Sequence, residues 1–169
     1  MKTTDEEYFI VLPRTELRMP PLSIPYEPGT VPQLTVRVGC GNGELTRVGT
    51  VDSGSSRSLF PKVFAEDLGL AEDDLVLREE KGEPAIGAGF DLWEAKGIAF
   101  NGQIVVPDPG EGDFLAWGPM FPMDLVFAET DTLLLGQSDF FAAFDVKFLR
   151  NGGDALLEIG ERPKKLRGP

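Results

Sequence analysis

Glycine and proline set the first limit on this chain. There are 20 and 14 of them in 169 residues, about one residue in five, and each tends to end the helix or strand it falls in. Long helices are excluded at that density, and many short elements joined by turns are favoured. Leu34, Val36 and Val38 alternate with polar residues up to a Gly41-Asn42-Gly43 turn. Leu45, Val48 and Val51 then lead a second strand away from it, the pattern of a β-hairpin.

The same reading continues along the chain. Residues 61–70 predict a short helix that starts on a proline and stops at Gly69. Residues 75–78 read as a strand, 86–100 as a glycine-marked hairpin and 104–106 as another strand. Four prolines and three glycines make 107–123 a long surface loop. Strands follow at 125–127 and 132–135, a helical turn at 138–143, and a closing hairpin of 146–149 and 155–159 around Asn151-Gly152-Gly153. The pattern is all-β, a compact closed β-barrel with one or two short helices. Residues 1–32, with Pro20, Pro21, Pro25, Pro28 and Pro32, read as an extended proline-rich arm. The domain proper spans 33–160, and 161–169 is a basic tail.

Composition removes whole classes of function. Histidine is absent, so Ser-His and Cys-His nucleophiles and histidine metal sites are excluded. The single cysteine, Cys40, has no partner for a disulfide or a zinc site. No metal and no cofactor is expected. A net charge of −12 repels phosphate backbones, so no nucleic-acid partner is expected either. The segment MKTTDEEYF is acidic where a signal peptide is basic, and no apolar run approaches a membrane span. The expectation is a cytoplasmic protein with no membrane association.

Chemistry concentrates in Gly49-Thr50-Val51-Asp52-Ser53-Gly54-Ser55-Ser56. An aliphatic strand delivers a carboxylate, Asp52, into a turn rich in hydroxyl and backbone N–H donors, which stabilise the anion and fix its direction. Gly54 permits close approach of another backbone. The plain alternative is a polar turn at the end of a strand.

The segment Val51-Asp52-Ser53-Gly54-Ser55-Ser56, followed by Leu59-Phe60-Pro61, resembles the hydrophobic-Asp-Thr/Ser-Gly-Ser/Ala signature of the aspartic proteases. Leu133-Leu134-Leu135-Gly136 resembles the hydrophobic-hydrophobic-Gly element that crosses behind the active-site loop in that fold. The run from Phe140 to Phe148 is similar to the end of bacterial single-domain retropepsin-like proteins. Ile86-Gly87-Ala88-Gly89-Phe90 stands where such proteases carry a flap with a glycine-rich tip. Two positions depart from the retroviral pattern. Gln137 follows the glycine where many members have arginine, and Ser56 stands where they have a second aspartate, so the ion pair that those residues make is missing.

The resemblance implies a retropepsin-like barrel with a β-hairpin flap and an aspartic endopeptidase activity. Only one Asp-Ser-Gly motif is present, so the implied active form is a homodimer that brings together Asp52 from each subunit. Ser53, Gly54 and Ser55 would support the active-site loop, with Ser53 bonding across the dimer and Ser55 donating to Asp52. Ile86, Gly87, Ala88 and Gly89 would close over a peptide or protein substrate, and Leu135 and Gly136 would brace the loop. Two other readings stand beside this one. A dimer of the same fold could hold peptides without cleaving them, and an unrelated β-barrel would carry the motif by accident.

Overall fold

The computed structural model describes residues 19–41, 43–78 and 91–162. Among them the strands are β1 (Leu22–Tyr26), β2 (Gln33–Cys40), β3 (Gly43–Val51), β4 (Ser58–Pro61), β5 (Leu75–Leu77), β6 (Leu92–Ala95), β7 (Phe100–Pro107), β8 (Phe114–Met123), β9 (Leu125–Ala128), β10 (Leu134–Leu135), β11 (Phe144–Asn151) and β12 (Asp154–Glu161). Two single-turn helices, α1 (Phe64–Asp67) and α2 (Phe140–Ala143), accompany them. The all-β class is therefore the observed one.

The strands form two sheets. The larger runs β5-β6-β9-β4-β10-β3-β2-β7-β8 and the smaller β1-β12-β11. Alternation in the sequence sets which face is inward. Leu34, Val36 and Val38 of β2 are buried, as are Ala155, Leu157 and Ile159 of β12, while the residues between them are more open. The central strands β4 and β9 are buried at every position, as expected for strands covered on both faces.

The larger sheet is rolled around one core. Leu75 and Trp93 from one end of its strand order pack on the same cluster as Trp117, Phe121 and Met123 from the other end. The end strands β5 and β8 are not paired with each other among the described residues. Leu157 and Ile159 of the smaller sheet join that cluster, with Leu22, Ile24 and Tyr26 against it. Aromatic rings fill the centre: Phe121 and Phe144 meet edge to face with ring centroids 5.1 Å apart, and Phe140 and Phe144 lie tilted at 5.4 Å. Each such buried ring contributes about 1.5–3 kcal/mol over an exposed one.

The observed elements differ from the sequence reading along the chain. The expected loop at 107–123 is mostly strand β8, paired with β7 from Phe100↔Met123 to Pro107↔Phe114. Pro119 and Pro122 are accommodated because β8 is an end strand and Pro119 falls in a bulge. There Phe121 faces Gly102 and Trp117 faces Ile104. Gly118, at φ +70°, supplies the left-handed residue that this bulge requires.

The expected helix over 61–70 shrinks to one turn, because Pro61 is already paired with Ala128 in the sheet. Of the expected hairpin over 86–100, residues 86–90 lie outside the described residues, and Leu92–Ala95 forms β6, which pairs with β5 with Leu75↔Ala95 and Leu77↔Trp93 in register. Finally, residues 22–26 of the proline-rich arm form β1 and pair along β12 from Leu22↔Ile159 to Tyr26↔Ala155.

Candidate active site

β3 carries the chain to Asp52 and is held on both sides at its end. Thr50 N–H donates to Leu133 O at 2.9 Å, Val51 N–H to Pro32 O at 2.9 Å and Asp52 N–H to Leu135 O at 3.1 Å. The first and third come with the parallel pairing of β10 on β3, Leu134↔Thr50 and Leu135↔Val51, and the second continues the β2–β3 ladder beyond Gln33↔Thr50. The Asp52 backbone is therefore fixed by strand geometry before its loop begins.

The loop then turns back on the carboxylate. Gly54 N–H donates to Asp52 Oδ1 at 2.9 Å and Ser55 N–H to the Asp52 carbonyl at 3.2 Å, an Asx-type turn. Asp52 is half-buried, whereas Ser53, Gly54 and Ser56 are exposed. The carboxylate thus stands at the base of an exposed polar loop.

Ser55 differs from its expected role. Its side chain is buried, and its hydroxyl donates to Arg57 O at 2.7 Å because it faces the interior and not Asp52. Gly54 supplies the donor that Ser55 was expected to give.

The Leu133–Gly136 stretch crosses behind this loop. Gln137 N–H donates to Ser55 O and Ser138 N–H to Ser56 O, both at 2.9 Å. A Cβ on Gly136 would lie 2.3 Å from the Arg57 carbonyl oxygen and 2.4 Å from its carbon, so only glycine allows this backbone crossing.

Two supporting residues escaped the sequence reading. Ser58 is fully buried and accepts from Gly136 N–H at 3.0 Å while its hydroxyl donates to Asp139 Oδ1 at 2.6 Å. Asp139 also accepts from Phe140 N–H at 2.6 Å, capping α2, and through Oδ2 from Asp124 N–H at 3.0 Å. The available signal was an aspartate directly before the apolar helical turn at Phe140.

Burial, with a smaller contribution from the Asp124 charge, pushes the Asp139 carboxyl above its ordinary range, against the opposing pull of the Ser58 hydroxyl and the Phe140 and Asp124 N–H groups. A raised carboxyl contributes stability that is fully present below its unfolded value, about 3.9, and is lost as pH rises through its folded value. Asp139→Asn is expected to remove that slope. It should also lower stability by about 1–3 kcal/mol, because an amide nitrogen then faces the Asp124 N–H. Urea unfolding of both proteins at several pH values measures the two effects separately.

Arg57 ties the loop to its surroundings, pairing through Nη1 with Glu94 of β6 and through Nη2 with Asp124. Burial favours the neutral guanidine, and the bonds to Glu94 and Asp124 outweigh it. Strands β5 and β6 are paired, and Arg78 N–H donates to Leu92 O at 2.7 Å. Ile86, Gly87, Ala88 and Gly89 lie outside the described residues. Among the described residues no group of three or more Cys, Asp or Glu is placed to hold a metal ion. No helix among them is long and apolar enough to cross a membrane.

No model of a known protein family matches the sequence, and no curated protein matches it. Solved structures of similar fold include a retropepsin-like aspartic protease from Rickettsia conorii, 17% identical. The match covers 84% of this chain and 92% of that one at a TM-score of 0.48. A second is EIAV protease in complex with an inhibitor, 16% identical, covering 68% and 89% at a TM-score of 0.33. The chain is thus all-β, with Leu134-Leu135-Gly136 crossing behind the Asp52 loop, and it is similar in structure to these two proteases.

Proposed function

We propose that the protein is an aspartic endopeptidase that acts as a homodimer. The observation that carries this reading is the half-buried Asp52 carboxylate, oriented by Gly54 N–H at the base of an exposed loop whose backbone is interlocked with β10 and Gly136. Peptide hydrolysis of this kind needs two carboxylates, and one chain carries one such loop. Two-fold pairing of the exposed loops would supply the second.

Two carboxylates held together share one proton. The ionised Asp52 takes a proton from a water, which attacks the scissile carbonyl. The protonated Asp52 of the other subunit donates a hydrogen bond to the developing oxyanion. The tetrahedral intermediate then collapses as the amine leaves with a proton from the pair. No covalent intermediate forms, so no nucleophilic side chain is needed. Ser53 and Gly54, exposed beside Asp52, are the loop residues best placed to meet the partner subunit, and the β5–β6 hairpin is the base of a flap over the peptide.

A second reading, a dimer that binds peptides without cleaving them, draws on Gln137 and Ser56, which leave out the ion pair of the retroviral pattern. Incubation of the folded protein with a diverse peptide mixture from acidic to neutral pH separates the two. New termini detected by mass spectrometry support the endopeptidase; bound but intact peptides support the second reading.

A further inference from the structure

We propose that Gln137 is a positioning residue for Asp52 and acts through the peptide group between Ser53 and Gly54. The inference rests on the reading of Asp52 as catalytic. Gln137 directly follows the buried Gly136, and its own N–H is fixed on Ser55 O at 2.9 Å. From that anchored backbone its side chain folds back, and Nε2 donates to the Ser53 carbonyl. The N–H of the same peptide group, on Gly54, donates to Asp52 Oδ1 at 2.9 Å.

A peptide group is planar and rigid. Holding its carbonyl therefore sets the direction in which its N–H points. Glycine at position 54 leaves that plane free to flip unless something outside the loop restrains it, and the Gln137 amide is such a restraint. A bond to the carbonyl also polarises the N–H and strengthens its bond to the carboxylate. Gln137 does this without adding a charge to the loop; the charged Arg57 of the same loop is paired with Glu94 and Asp124, and Asp139 is buried against Ser58. The position that departs from the retroviral pattern is thus a working part of the loop.

The test uses the full-length protein and two variants, Gln137→Ala and Gln137→Glu. The deciding readout is hydrogen exchange of the Gly54 amide followed by NMR. In Gln137→Ala it is expected to quicken about tenfold, with thermal unfolding unchanged because the side chain is exposed. Peptide cleavage should fall in kcat by about the same factor with KM unchanged.

In Gln137→Glu an ionised carboxylate cannot donate to Ser53 O, whereas a protonated one can. The ratio of its activity to that of the wild type should rise as pH falls through the ordinary glutamate range, about 4.3. The ratio for Gln137→Ala should stay flat, since Asp52, Arg57 and Asp139 are common to all three proteins. Unchanged Gly54 exchange in Gln137→Ala overturns the proposal, whatever happens to kcat. Quickened exchange in a protein whose wild type cleaves nothing supports the proposal and instead overturns the catalytic reading of Asp52.

Discussion

Asp52→Asn is expected to abolish peptide cleavage, with a loss of about a thousandfold or more, while the fold and the dimer persist. Loss of general acid–base catalysis accounts for about 10²–10⁴ in rate, and in the proposed homodimer one substitution removes the carboxylate from both subunits. The fold should survive because asparagine keeps an oxygen where Asp52 Oδ1 accepts from Gly54 N–H at 2.9 Å. The bonds that fix the backbone, to Leu135 O and from Ser55 N–H, do not involve the side chain. Cleavage is read by mass spectrometry, the fold by thermal unfolding and the dimer by sedimentation. Full activity in Asp52→Asn would remove Asp52 from the mechanism.

The largest effect on stability is expected at Gly136. An alanine there would place Cβ 2.3 Å from Arg57 O, 2.4 Å from Arg57 C and 2.9 Å from Ser55 O. All three are backbone atoms and cannot rotate away. They also belong to the segment that Gln137 and Ser138 hold through their own N–H groups. Overpacking by one methyl in a yielding core costs about 1–3 kcal/mol. Against unyielding backbone the cost should be about 3 kcal/mol or more, enough to unfold a marginal domain.

Gly160→Ala is the matched control. A Cβ at Gly160 meets nothing within 4 Å, and the change in stability there should stay within about 0.5 kcal/mol. Urea unfolding of the two variants beside the wild type gives the comparison directly.

Local pattern carried much of this architecture into view. The β2–β3 hairpin was legible because alternation at Leu34, Val36 and Val38 coincides with a glycine turn, and burial follows that alternation. The Asp52 loop and its Gly136 counterpart were legible because both are short, contiguous motifs whose chemistry is local. Strand β8 was hidden, since Pro119 and Pro122 are breakers only in strands that must donate on both sides. That β8 lies at the end of the sheet is a tertiary fact.

The Ser58–Asp139 bond joins residues 81 apart in sequence, so no local window contains both partners. Ser55 was misassigned for a related reason. A hydroxyl three residues from a carboxylate is a plausible donor to it, and only the packing shows that Ser55 faces inward to Arg57 O. The proline-rich segment likewise gave no sign that residues 22–26 would find β12, far along the chain.

Subunit mixing tests the central claim, one Asp52 from each chain in a single catalytic centre, most directly. Wild-type protein is allowed to exchange subunits with an excess of Asp52→Asn, and peptide cleavage is measured per wild-type chain. In a symmetric dimer with a shared site, about a nine-fold excess of the variant leaves only about a tenth of wild-type chains in active pairs. Activity should therefore fall about tenfold. Undiminished activity per wild-type chain, with mixed dimers confirmed, would show that each chain works alone and would contradict the shared carboxylate pair.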